Sequence, residues 1–91
     1  MQLLEPNDYP TDNASVTLAT LAASHLSVLH KKPRFADLTN HVYLDVLFAQ
    51  VGVRGNQPLG DYRTQLLVTM LRSPAERHLI EHALVTRLRT H

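Results

Sequence analysis

The chain has 91 residues, the size of one domain, and 44% of them are hydrophobic, which excludes an intrinsically disordered protein. It contains no cysteine, which excludes a disulfide framework, a thiolate zinc site and a thiol nucleophile. Its formal net charge of +1 argues against a dedicated nucleic-acid-binding protein. No apolar run approaches the ~18 residues of a membrane span, and we expect the protein to reside in the cytoplasm.

The composition of residues 1–13 predicts a flexible N-terminal tail, followed by a single helical domain over residues 14–91. The tail contains two prolines, three acidic residues and no basic residue, which does not favour a regular element. Its large apolar side chains, Leu3, Leu4 and Tyr9, are candidate contacts with another protein.

The first helix is predicted to begin near Asp12, Asn13 or Ser15, each a favourable N-cap, and to continue to about His30. Its apolar residues recur at spacings of three and four, which places them on one stripe: Leu18, Leu21, Ala22, Leu26 and Leu29. Pro33 then ends the helix, because proline lacks the amide that a helix interior requires.

A second helix is predicted from about Phe35 to Val51, with Gly52 ending it in a left-handed conformation. Its apolar residues cover more than half of the circumference: Phe35, Leu38, Val42, Leu44, Val46, Leu47, Phe48, Ala49 and Val51. Such a helix is typical of a bundle centre or an oligomer interface, so we expect the most buried element here and a candidate dimer interface. Residues 42–48 also fit a strand, but the length of the segment and the lack of a partner strand favour a helix.

A loop over residues 53–60 leads to a third helix, which is predicted to begin at Gly60 or Asp61 and to end at Arg72. The core-facing residues of this helix are expected to be Tyr62, Leu66 and Met70, flanked by Leu67 and Leu71. The helix has to end before Pro74, because the residue that precedes a proline avoids the helical conformation.

The fourth helix has the clearest start signal in the chain. Ser73 is a good N-cap, Pro74 suits the first helical position, and Glu76 completes the pattern of a capping box. The helix is predicted to run from Pro74 to about Arg89, with these residues facing inward: Leu79, Ile80, Ala83, Leu84 and Leu88. The predicted fold class is therefore all-α, a compact bundle of about four helices with an extended N-terminal tail, expected to form a dimer.

The segment from His78 to His82 carries the pattern H-x-x-E-H, in which two histidines one helical turn apart bind zinc and a glutamate activates water. That chemistry needs a third protein ligand, and Glu76, on the same helix, cannot easily close such a site. We therefore expect a solvated helix face and no metal site. His25, near the apolar stripe of the first helix, is expected to be a hydrogen-bonded residue at the edge of the core.

The sequence has no glycine-flanked serine of a nucleophile elbow and no phosphate-binding glycine loop, so we expect neither an enzyme nor a cofactor. The expected function is that of a small protein-binding adaptor or regulator, of anti-activator, connector or chaperone type, acting as a homodimer. Its candidate contact residues on the fourth helix are Arg77, His78, Glu81, His82 and Arg87. Residues 60–71 are similar to a segment of small, helical, dimeric connector proteins linked to biofilm control in enterobacteria. The similarity covers about a dozen residues, and no functional residue can be assigned to this chain from it.

The alternative function is that of a small dimeric DNA-binding regulator. The third and fourth helices can be compared with a helix-turn-helix in which the helix over residues 74–89 enters the major groove. Its phosphate contacts would be Arg77, Arg87 and Arg89, and His78 and Glu81 would face the bases. The arginines from Arg54 onward outnumber the acidic residues there by six to three. The low net charge, the acidic Glu76 and Glu81 on the recognition helix, and a turn without glycine argue against this alternative.

Overall fold

The computed structural model describes residues 13–55 and 57–89. Within these ranges it contains a short 3-10 turn, Pro33–Phe35, no strand, and four α-helices: α1 (Asn13–His30), α2 (Asn40–Ala49), α3 (Gly60–Arg72) and α4 (Pro74–Arg89). This confirms the predicted all-α class. None of these helices combines the length and the hydropathy needed to cross a membrane.

The helices pack as a bundle in which α3 contacts both α1 and α4, α4 also contacts α2, and α1 contacts the 3-10 turn. The bounds of α1, α3 and α4 agree with the prediction. Asn13, which was assigned to the tail, is instead the first residue of α1. The expectations for the rest of the tail, Leu3, Leu4 and Tyr9 included, concern residues that lie outside the described part of the chain.

The prediction for the second helix was wrong at its start, because α2 begins at Asn40 and not near Phe35. Phe35 belongs to the 3-10 turn that follows Pro33. The side-chain oxygen of Thr39 accepts a hydrogen bond of 3.1 Å from the amide of Val42, so Thr39 is the N-cap. At the other end Gly52 has a φ of 78°, the left-handed conformation that its identity predicted.

Among the described residues, α2 has the largest share of buried positions, since four of its ten residues are buried. Tyr43 and Leu47 have no exposed surface at all. None of the large hydrophobic residues that the described part of the chain exposes lies on α2. The wide apolar arc of this helix is therefore covered within its own chain, which removes the reason for placing a dimer interface on it.

The predicted orientations of α3 and α4 need correction. Tyr62 and Leu66, expected in the core, are exposed, and Met70 is half-buried. The buried residues of α3 are instead Thr64, Leu67, Val68 and Leu71. On α4 the buried residues are Ile80 and Leu84, whereas Leu79 and Leu88 are exposed. Because α3 has two apolar stripes, periodicity alone could not determine which one faces α1 and α4.

We predict that Leu47→Ala lowers the free energy of unfolding by about 2–5 kcal/mol, because it removes a fully buried side chain and leaves a cavity. The matched control on the same helix is His41→Ala, at an exposed position, with an expected effect within about 0.5 kcal/mol. Urea unfolding followed by circular dichroism measures both values. Equal effects of the two substitutions would contradict the central position of α2.

Candidate functional site

An open groove of about 330 Å³ lies between α1 and α4. Its lining residues come from three helices: Leu21, Ser24, His25 and Val28 from α1, Leu71 from the end of α3, and Arg77 and Glu81 from α4. The four α1 residues are spaced by three and four positions and so share one helix face. We call this feature, defined by these seven residues, the α1–α4 groove. It combines apolar walls with a histidine, an arginine and a glutamate.

The position of α4 beside the groove is set by its start at Ser73 and Pro74. Ser73 has an extended backbone (φ −97°, ψ 121°), as expected before proline. Its side-chain oxygen accepts a hydrogen bond of 3.4 Å from the Glu76 amide. The Ser73 amide donates to the carbonyl of Met70 in α3, so the predicted capping box is formed only in its serine half.

His25 is the most distinctive residue of the groove, since its side chain is only 4% exposed. Its Nδ1 lies 2.9 Å from the hydroxyl oxygen of Tyr43 on α2, with the two rings edge to face. Burial raises the pKa of Tyr43, so the hydroxyl keeps its proton. In the described part of the chain His25 is the only partner of this buried hydroxyl. Because a hydroxyl proton without an acceptor would be unsatisfied, we assign Tyr43 as the donor and Nδ1 as the acceptor.

This assignment places the proton of the neutral imidazole on Nε2. Nε2 is buried and has no hydrogen-bond partner among the described residues. The nearest carboxylate oxygen, Oε2 of Glu81, is 3.9 Å away, which is too far for a hydrogen bond. An unpaired buried donor costs about 1–3 kcal/mol, which no described residue offsets at Nε2.

Glu81 is held at the edge of the groove by a hydrogen bond of 2.7 Å that the Lys32 ammonium donates to Oε1. Partial burial acts to raise the pKa of Glu81, but the hydrogen bond and charge of Lys32, with smaller effects of His25 and His78, bring it below its usual value. Burial lowers the pKa of His25, the charges of Arg77 and Lys32 act in the same direction, and Glu81 only partly opposes them. At neutral pH the groove therefore contains a neutral imidazole beside an ionised carboxylate.

The two arginines proposed as contact residues are both engaged within the chain. Arg77 lines the groove and donates a hydrogen bond of 2.7 Å from Nη1 to the carbonyl of Leu71, near the end of α3. Arg87 lies elsewhere on α4 and forms an ion pair of 2.6 Å with Asp45 of α2. Arg77 thus helps to cap α3, and Arg87 connects α4 to α2.

The histidines of the H-x-x-E-H pattern, His78 and His82, are both exposed on α4. Glu81 between them is bonded to Lys32, as described above. In the described ranges, no three His, Asp or Glu residues are grouped so that they can hold a metal ion. Of the five candidate residues on α4, the structure places Arg77 and Glu81 in the groove, His78 and His82 on the exposed surface, and Arg87 at the α2 contact.

The sequence reasoning missed the α1 side of the groove. His25 was expected to be hydrogen-bonded at the edge of the core, and its contact with Tyr43 agrees with that expectation. Its second, unpaired nitrogen and its position opposite Glu81 were not foreseen. The sequence feature that could have revealed this side of the groove was a histidine on an apolar stripe. Leu21 and Val28 lie four residues before and three residues after His25, so they share its helix face.

No protein-family model, curated protein or solved structure matches this chain.

We predict that the protein is less stable at about pH 5.5 than at about pH 7.5, because the folded-state pKa of His25 lies below its unfolded value of 6.5. The unfolded chain then binds more protons than the native state as the pH falls from 6.5 to the lowered pKa, so the free energy of unfolding decreases over that window. Urea unfolding at the two pH values measures the difference.

The variant His25→Gln removes the titrating group and should reduce this difference. The matched control, His78→Gln, changes an exposed histidine and should keep the wild-type difference. If the His25→Gln protein retained the full pH dependence, His25 would not be its source.

Proposed function

We propose that this chain is a small, non-enzymatic adaptor or regulator that binds another protein through the α1–α4 groove and acts as a helical dimer in the cytoplasm. The observation that carries the proposal is the groove itself, with apolar walls beside a buried ring nitrogen, His25 Nε2, that has no partner among the described residues. A site of this kind suits a protein segment, because such a segment supplies both an apolar side chain and a hydrogen-bond acceptor.

The chemistry of the partner follows from the two kinds of lining. Val28 is 51% exposed and borders the groove together with the half-buried Leu21, so an apolar side chain of the partner would cover both. Because His25 Nε2 is buried, a backbone carbonyl or side-chain oxygen of the partner would accept a hydrogen bond from it only after the side chains around it move aside. An oxygen without a full negative charge suits this position better than a carboxylate, because Glu81 lies 3.9 Å from Nε2.

DNA binding is the less favoured alternative. Phosphate contacts by Arg77 and Arg87 would compete with the hydrogen bond to Leu71 and the ion pair with Asp45. The side of α4 that carries Arg77 and Glu81 borders the groove opposite α1. Both observations favour a protein partner, and nuclease treatment in the experiment below distinguishes the two alternatives.

The test is affinity capture of the tagged protein from its native cells, with and without nuclease, followed by mass spectrometry. Val28→Glu places a charge at the apolar wall of the groove and should abolish capture of the specific partner. Val16→Glu is the matched control, because Val16 lies on the same helix, is 46% exposed and does not line the groove. Substitutions of Arg77 or Arg87 are less suitable, since they would also break contacts within the chain.

We expect one protein that is captured by the wild-type chain and by Val16→Glu, that resists nuclease and that is lost with Val28→Glu. Its capture by Val28→Glu at the wild-type level would contradict the groove as the binding site. Partners that disappear after nuclease treatment would instead support the DNA-binding alternative.

A further inference from the structure

A second, smaller pocket lies where the 3-10 turn meets the C-terminal end of α4. Its volume is about 160 Å³, and its lining residues are Arg34 and Phe35 from the turn and Val85, Leu88 and Arg89 from α4. Phe35 is buried at its base, Val85 is half-buried and Leu88 is 38% exposed. We call this feature, defined by these five residues, the Arg34–Arg89 pocket. Apart from the two guanidinium groups, its lining side chains are apolar.

The two arginines of this pocket are cations without an anionic partner. Both are exposed, and neither Arg34 nor Arg89 forms an ion pair with any described residue. Asp45 of α2 and Glu81 of α4 are paired with other basic residues, and Asp37 does not line the pocket. An anionic group from another molecule would therefore meet two unpaired guanidinium groups beside an apolar surface.

The placement of Arg34 suits a carboxylate in particular. Its Cζ lies over the ring of Phe35, 5.8 Å from the ring centre, which is a cation–π contact. A guanidinium that stacks by its face keeps the N–H groups at its edge free, and these match the two oxygens of a carboxylate. A carboxylate bound at this edge lies next to the apolar lining of the pocket.

Both sides of the pocket are fixed by contacts within the chain. On the side of the turn, the Leu38 amide donates a hydrogen bond of 3.0 Å to the Phe35 carbonyl. The Leu38 carbonyl accepts a hydrogen bond of 2.7 Å from His30 Nε2. On the side of α4, the ion pair of 2.6 Å between Arg87 and Asp45 holds the end of the helix against α2. A pocket built on such supports loses little conformational entropy when a ligand binds.

The size of the pocket limits what can enter it. Sites for cofactors and drug-sized molecules have volumes of about 300–1,000 Å³, so a cavity of about 160 Å³ holds a single side chain of about the size of leucine. A free amino acid would also bring an ammonium group, for which the lining offers no carboxylate. The last residue of a peptide carries an apolar side chain and a carboxylate on one Cα, without that ammonium group.

We propose that the Arg34–Arg89 pocket binds the carboxyl terminus of the partner protein, and that the last residue of this partner has an apolar side chain of about the size of leucine. This inference rests on the proposed function and identifies which end of the partner is bound. Capture of a terminal carboxylate is a recurring mode of peptide recognition. Here the two arginines supply the positive charge, and Phe35, Val85 and Leu88 supply the apolar contact.

The pocket is continuous with the α1–α4 groove along α4. Glu81, Val85 and Leu88 are spaced by four and three positions, so they lie on one face of this helix. Glu81 borders the groove, whereas Val85 and Leu88 line the pocket. The distance from Glu81 to Leu88 along the helix axis is about 10 Å, which about three extended residues span. A partner whose apolar side chain covers Val28 thus needs only a few further residues to place its carboxyl terminus in the pocket.

The test uses three short peptides and the full chain, with binding followed by nitrogen-15 and proton NMR. N-acetyl-Ala-Ala-Leu with a free carboxylate should bind in the millimolar range and shift the signals of Phe35, Val85 and Leu88. Its C-terminal amide should bind at least about tenfold more weakly, because the hydrogen bonds to a charged acceptor are lost. N-acetyl-Ala-Leu-Asp-amide should also bind several-fold more weakly, because its carboxylate and its leucine belong to different residues.

Substitutions in the pocket separate a direct contact from a general effect of charge. Arg34→Gln and Arg89→Gln should each raise the dissociation constant of the free-carboxylate peptide at least about fivefold. The matched control is Lys31→Gln, which removes the same charge from an exposed residue outside the pocket and should change the constant less than about twofold. Leu88→Glu places a carboxylate in the pocket and should abolish binding, with unchanged helical circular dichroism.

Equal binding of the peptide and its amide, or equal effects of Arg34→Gln and Lys31→Gln, would overturn the pocket as a carboxylate site. Equal binding of the peptide with an internal aspartate would overturn the carboxyl terminus as its occupant. Val28→Glu should leave peptide binding unchanged, since Val28 does not line the pocket. A captured partner that is lost with Val28→Glu but kept by the chain with both Arg34→Gln and Arg89→Gln would overturn the pocket and support the groove. Peptide binding to the pocket without any captured partner that depends on Val28 would support the pocket and contradict the groove.

Discussion

The hydrogen bond that Tyr43 donates to His25 is the interaction on which the groove depends. It connects α1 to α2 across a separation of 18 residues, and it lies in a region from which water is excluded. Because the buried hydroxyl needs an acceptor, the imidazole ring is fixed in one tautomer and one orientation. Its other nitrogen then faces α4, where Glu81 is too distant to accept a hydrogen bond. The same contact that completes the core thus leaves the other ring nitrogen, Nε2, buried beneath the groove lining without a partner among the described residues.

The apolar surface of this chain of 91 residues is divided between a core and side chains that face outward. Tyr43 and Leu47 of α2, together with one face each of α1, α3 and α4, form the hydrophobic core. That leaves the second face of α3 uncovered and the walls of the groove only partly covered. In a domain of this size, burial of additional surface by a partner contributes stability that the single chain lacks.

Local signals in the sequence determined the helix boundaries. The stops at Pro33 and Gly52 and the start at Ser73 and Pro74 each depend on one or two residues and their immediate neighbours, so three of the four helices could be predicted closely. The start of α2 was misplaced because Phe35 fits the apolar pattern of that helix, although the 3-10 turn and the Thr39 cap separate it from α2.

Contacts between distant residues could not be derived from the sequence. The Lys32–Glu81 pair spans 49 residues and the Asp45–Arg87 pair spans 42, and neither leaves a signal in local spacing. The predicted orientation of α3 was wrong for a related reason. Both of its apolar faces satisfy helical periodicity, and only packing against α1 and α4 selects the one with Leu67. On the other face Tyr62 and Leu66 remain exposed.

The most direct measurement is the tautomeric state of His25, determined from the nitrogen-15 chemical shifts and the ring couplings of its side chain in solution at neutral pH. A neutral ring with the proton on Nε2, and with Nδ1 as the acceptor of the Tyr43 hydroxyl, is the expected result. The variant Tyr43→Phe should then alter the shift of Nδ1 more than that of Nε2. A proton on Nδ1, or a ring that is charged at neutral pH, would contradict the assignment of His25 Nε2 as the free donor of the α1–α4 groove.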